Sequence, residues 1–70
     1  MPGETIASSV IAAVQYDAAS EHLDIELKTG RAYRYLDVPA AVHQAFMTAE
    51  SMGRFYNDHI RDVYLCTRLR

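Results

Sequence analysis

Apolar and polar residues alternate from Leu23 to Leu27 and again from Tyr33 to Tyr35, on either side of a Lys28-Thr29-Gly30 break. A period of two on both sides of a glycine predicts two half-buried antiparallel strands joined by a tight turn. A two-residue Thr29-Gly30 loop would require positive φ at a β-branched threonine. A three-residue loop, Lys28-Thr29-Gly30, requires it only at Gly30. The three-residue loop sets Leu27 opposite Arg31, Ile25 opposite Tyr33, Asp24 opposite Arg34 and Leu23 opposite Tyr35. Slipping this register by one residue would invert both faces.

Upstream, Ser9 to Asp17 reads as a first strand with Val10, Ala12, Val14 and Tyr16 on one face. Ile11 breaks the alternation and marks either a bulge or a residue packed under a chain terminus. The alanines leave a helix over Ile6 to Ala13 as the alternative. Ala18 to Glu21 is a polar connection. Downstream, Asp37-Val38-Pro39 predicts a helix start, with proline in the first turn and Asp37 as cap. Val38, Val42, Ala45, Phe46 and Ala49 then recur at helical spacing, a stripe suited to covering Leu23, Ile25, Tyr33 and Tyr35. Ser51 predicts a second cap, its hydroxyl accepting from Gly53 or Arg54, and a helix from about Met52 to His59 anchored by Phe55 and Ile60. Asn57 is the expected exit. Val63 to Leu69 has strand character and is suited to pairing with a sheet edge or another copy of the molecule.

The expected fold is therefore α+β: a three-stranded antiparallel meander followed by two helices packed on one face, with a possible short C-terminal strand. Seventy residues allow one domain, in a size range where only about 60% of the unfolded surface is buried. Residues 6–70 are expected to form it, with 1–5 as a flexible N-terminus. Half the residues are hydrophobic and 23% are charged, which excludes a disordered chain.

One cysteine, Cys66, excludes an internal disulfide and suits a reducing compartment. With neither an apolar run of transmembrane length nor a signal-peptide pattern, the expectation is a cytoplasmic protein with no membrane partner. Set in Tyr64-Leu65-Cys66, the thiol reads as a small packed hydrophobe. His22, His43 and His59 lack metal-ligand spacing, so no metal or cofactor is expected. Ser8 and Ser9 have no motif supplying a base. A chain this short has little room to exclude water from a reacting centre, so the expectation is a non-catalytic protein.

The net charge is −2, a mild argument against non-specific nucleic-acid binding. The charge is unevenly spread. Residues 1–50 hold three basic and seven acidic side chains, whereas residues 51–70 hold Arg54, Arg61, Arg68 and Arg70 against Asp58 and Asp62. The basic end reads either as a contact surface or as a solvated face.

Ser8-Ser9, Ile11, Tyr16-Asp17, Leu23, Gly30, Tyr33-Arg34-Tyr35, Val38-Pro39, Ala49-Glu50-Ser51-Met52-Gly53, Phe55, Asn57, Ile60-Arg61 and Tyr64, in that order, resemble the KTSC domain. This small domain is named for the C-terminus of some lysyl-tRNA synthetases and also occurs alone in bacteria. The resemblance covers roughly residues 8 to 66. It implies an activity not yet established and suggests RNA binding by association with a tRNA synthetase.

Tyr33, Arg34 and Tyr35 form the central motif of that resemblance. Tyrosines on a sheet can stack on bases; the register instead turns these two inward as core residues with hydroxyls reaching the rim. The surface better suited to RNA is the end carrying Ser51, Gly53, Arg54, Tyr56, Arg61 and Tyr64, where amides and arginines can meet phosphate. The plainer alternative is that Ser51 only caps and Gly53 only lets two helices touch. The expectation is a small binding module for RNA, or else a protein-contact module that includes a homo-oligomer through the C-terminal segment.

Overall fold

The computed structural model describes residues 9–70 and the backbone of Glu4–Thr5. Among the described residues five antiparallel strands follow one another across a single sheet: β1 (Glu4–Thr5), β2 (Ile11–Asp17), β3 (His22–Leu27), β4 (Ala32–Tyr35) and β5 (Cys66–Arg68). Helices α1 (Ala40–Met47) and α2 (Met52–Phe55) lie between β4 and β5 in sequence, and α2 runs on as a π-turn, Tyr56–Ile60. The three expected strands are present, and β1 and β5 extend the sheet at its two ends. Most of the expected loose N-terminus, residues 1–5, lies outside the described residues; within it Glu4–Thr5 pairs with Val14 and Ala13.

The β3–β4 hairpin has the expected register: Leu23 faces Tyr35, Asp24 faces Arg34 and Ile25 faces Tyr33. The Leu27 amide donates to Arg31 O at 2.8 Å, and Gly30, at φ +96°, closes the three-residue loop. In β2 the strand reading holds over Ile11–Asp17. The alternation fails at Ile11 because a bulge lies between Ile11 and Ala13. One extra residue there puts Ile11 and Val14 on the same face, so the core takes Ile11 while Val10 is exposed and Ala12 is only half-buried.

Proline fixes φ but leaves ψ free, and Pro39 uses that freedom to stay extended, with φ −64° and ψ 151°, as the residue before the helix. Asp37 is not the cap: at φ +58° it carries the bend out of β4. Val38 is pinned instead by the preceding hairpin, its amide donating to Glu21 O at 2.9 Å and its carbonyl accepting from the Tyr16 hydroxyl at 2.6 Å. On α1 the buried anchor is Phe46, while Ala45, expected on the apolar stripe, is exposed. Ser51 Oγ accepts from the Arg54 amide at 3.2 Å, one of the two expected caps.

After Phe55 the backbone widens. The Arg61 amide bonds to Tyr56 O five residues back, and the widened turn buries both Tyr56 and Ile60. Asn57 is exposed inside this turn and does not end it; the exit is made by Arg61, extended, and Asp62 at φ +63°. Ile11, Val14, Leu23, Ile25, Tyr35, Val38, Phe46, Tyr56 and Ile60 form one continuous core between sheet and helices. Burying each large side chain contributes about 1.5–3 kcal/mol.

Candidate functional site

Alternation along β4 sends Tyr33 and Tyr35 to the helix-covered face and Arg34 to the other. Tyr35 is 3% exposed and its hydroxyl meets that of Tyr56 at 2.5 Å, the rings standing edge to face with centroids 5.8 Å apart. Burial first, then the hydrogen bond to Tyr56, raises the Tyr35 phenol well above its ordinary value. At neutral pH it is an uncharged hydrogen-bonding group. Tyr33 is half-buried beside it, at a 6.4 Å ring separation. On the opposite face Arg34 holds Asp24 through two bonds, Nε to Oδ1 at 2.9 Å and Nη2 to Oδ2 at 3.0 Å. That fork occupies the guanidinium.

A groove of about 780 Å³ opens where β4 meets the π-turn and the segment leading to β5. Tyr33, Tyr35, Tyr56 and Tyr64 line it, with Arg31 entering from the hairpin and Arg61 from the end of the π-turn. Asp62 also borders it. Among the described residues neither arginine takes part in an ion pair, whereas Arg34 and Arg70 are paired with Asp24 and Glu26. Tyr33 and Tyr64 are the half-buried rings of the four, so each presents part of its surface to the groove. The backbone holds Tyr64 there, its amide bonding to Ile60 O at 3.2 Å. Such a groove offers aromatic surface together with two arginines that, among the described residues, take part in no ion pair.

The six residues expected at a nucleic-acid surface divide. Tyr56, Arg61 and Tyr64 come together with the Tyr33–Tyr35 pair in the groove, while Ser51, Gly53 and Arg54 do not line it. Ser51 caps α2, Gly53 lies where a Cβ would come 3.4 Å from Val10 Cγ2, and Arg54 is exposed on α2. Tyr56 is not an exposed stacking ring: it is 4% exposed and belongs to the core. Arg31 was not among the expected residues, although its pairing with Leu27 already assigned it to the Tyr33 face. Cys66 is exposed rather than packed, because it pairs with Tyr35 on the outermost strand and faces the groove instead of the core.

Two of the three histidines make ring contacts: His43 stacks on Tyr16 with centroids 4.4 Å apart, and His59 lies 4.7 Å from Phe55. Among the described residues no three His, Cys, Asp or Glu side chains converge as a metal site, and no helix is long and apolar enough to cross a membrane. Ser8 lies outside the described residues, and Ser9 is exposed.

The sequence pattern of the KTSC domain matches residues 7–64. An uncharacterized protein of Stutzerimonas stutzeri is 40% identical over 50 residues, covering 71% of this chain and 70% of that one. A protein of Tsukamurella paurometabola is 36% identical over 58 residues, covering 83% and 87%. The crystal structure of a KTSC domain protein from Yersinia pestis superposes with a TM-score of 0.91 at 36% identity, covering 97% of this chain and 96% of that one. With the match spanning β2 to β4, both helices and the groove-lining tyrosines, the chain belongs to the KTSC domain family.

Proposed function

We propose that this chain is a non-catalytic binding module that takes an unpaired segment of RNA in its tyrosine-lined groove. The observation that carries the reading is the pairing of Arg31 and Arg61, neither held by a carboxylate among the described residues, with the partly open rings of Tyr33 and Tyr64. Bases of every kind offer a π-face to an aromatic ring, and arginines beside it neutralise the connecting phosphates. The acidic residues Asp24 and Glu26 are on the other face of the sheet, where Arg34 and Arg70 partly balance them. The net charge of −2 therefore understates how a phosphate chain meets the groove.

Fluorescence anisotropy with a short single-stranded RNA tests this. Binding at low salt that weakens with added salt, and weakens further in Arg61→Ala and Tyr64→Ala, supports it. No binding at low salt, or binding unmoved by both substitutions, overturns it. A second reading, protein contact through the C-terminal segment, is favoured by Val63 and Leu65, which are 60% and 79% exposed.

A further inference from the structure

From the edge geometry of β5 we infer that two copies of this chain pair antiparallel through this strand, about a two-fold axis at Thr67. Among the described residues no strand lies beyond β5 in the sheet order. Its inner side is used up by β4. The Leu65 carbonyl accepts from the Leu36 amide and the Leu69 amide donates to Ala32 O, with Thr67 opposite Arg34 between them. In an extended strand the backbone groups alternate sides, so those of Cys66 and Arg68 face outward. An axis at Thr67 sets Cys66 opposite the partner's Arg68 and Arg68 opposite the partner's Cys66. All four outward-facing backbone groups of each copy then find partners, and the sheet continues across the junction.

The side chains select the same register. Cys66 and Arg68 pair with Tyr35 and Tyr33, which puts them on the groove face; Leu65, Thr67 and Leu69 take the opposite face. Leu65 and Leu69 are 79% and 44% exposed, a large apolar cost for one three-residue strand. The axis at Thr67 lays Leu65 beside the partner's Leu69 and Leu69 beside the partner's Leu65, with the two threonines between, so that both leucines are covered. It also keeps like charges apart, since each Arg68 meets a cysteine. A shift of the axis to Arg68 would set the two Arg68 side chains against each other. The inferred pairing brings the partner's Arg68 beside Cys66, at the border of the tyrosine groove. This inference stands independently of what the groove binds.

Sedimentation equilibrium of the full chain, from micromolar to millimolar concentration, reads the assembly directly. The expected result is a shift from the 7.9 kDa monomer towards twice that mass. A monomer throughout overturns the inference. Leu65→Lys, at a side chain already exposed, and Arg68→Pro, which removes an outward-facing amide that β4 does not use, are expected to shift the equilibrium to monomer while circular dichroism is unchanged. A dimer that both variants retain overturns pairing through this edge. The register has its own test. In a Cys66→Ser, Thr67→Cys variant the two introduced thiols lie in directly opposed positions, about 4.5 Å apart at Cα, within disulfide reach. Mild oxidation is expected to crosslink that variant readily and the natural Cys66 pair poorly; the reverse order overturns the axis at Thr67.

Discussion

The phenol of Tyr35, on β4, and that of Tyr56, at the start of the π-turn, share one hydrogen bond at the edge of the core, 2.5 Å between oxygens. Each hydroxyl is the other's partner, and through them the sheet is tied to the widened helix end that carries Arg61. A conventional α-helical turn would have rotated the residues after Phe55 differently around the axis. The π-turn buries Tyr56 and Ile60 together, and Tyr56 reaches Tyr35 from there.

Removing one of two buried partners leaves the other without a bond, whereas removing both leaves only apolar contacts. Tyr35→Phe and Tyr56→Phe are each expected to cost about 1–3 kcal/mol, and the double variant less than the sum of the two. Urea denaturation of all four proteins closes the cycle. Strictly additive losses would show that the two hydroxyls act separately.

The same pair makes stability sensitive to alkali. Burial and the Tyr56 bond raise the Tyr35 phenol in the folded chain, while in the unfolded chain it returns to about 10. The unfolded state then loses its proton first as pH rises. The contribution is fully present below about pH 10 and is lost above it. Tyr16 is raised in the same direction, by desolvation first and then by Glu21 and Asp17. Absorbance titration at phenolate wavelengths is expected to find a late phase, from Tyr35 and Tyr16, that coincides with unfolding, and Tyr35→Phe is expected to reduce the alkaline loss of stability. An unchanged alkaline transition in that variant would place its origin elsewhere.

Two glycines are expected to respond to alanine differently. At Gly30 a Cβ would meet nothing within 4 Å, but φ is +96°. The cost there is backbone strain, about 1–2 kcal/mol. Gly53 lies within α2, and a Cβ would come 3.4 Å from Val10 Cγ2, an ordinary contact. Gly53→Ala is expected to be neutral or to stabilise by up to about 1 kcal/mol through helix propensity. Thermal melts of the two variants decide it; a fall in Tm for Gly53→Ala comparable to that of Gly30→Ala would mean that α2 and Val10 have no room to adjust.

Local chemistry was enough to read the fold wherever one residue type alone suited a turn or a cap. Gly30 fixed the hairpin because one turn type alone suited Lys28-Thr29-Gly30, and from it followed the inward faces of Tyr33 and Tyr35 and the partnering of Asp24 with Arg34. Ser51 was legible as a cap for the same kind of reason. The break at Ile11 was legible as one of two readings, and the bulge is the one that holds; the π-turn at Tyr56 and the bend at Asp37 were not legible, since each is settled by packing between distant segments: Val38 is held by Tyr16 and Glu21, and Tyr56 by Tyr35. The candidate surface was correspondingly half legible. Arg61 and Tyr64 lie near one another in sequence, but Arg31 joins them only through the β4–β5 arrangement.

The two central arginines of the chain are expected to differ in their effect on RNA. Arg34 is bound in a fork to Asp24 on the face away from the groove, so Arg34→Ala should leave binding almost unchanged and cost at most about 1 kcal/mol of stability, as for other partly exposed pairs. Arg31 lies at the groove without such a partner among the described residues. Arg31→Ala should weaken binding across all sequences and reduce the slope of log K against log salt by about 0.7, the share of one phosphate contact on a single strand. Titrating both variants at several salt concentrations separates the two residues. A slope reduced by Arg34→Ala and not by Arg31→Ala would move the RNA to the Asp24 face, where the carboxylates of Asp24 and Glu26 would oppose it.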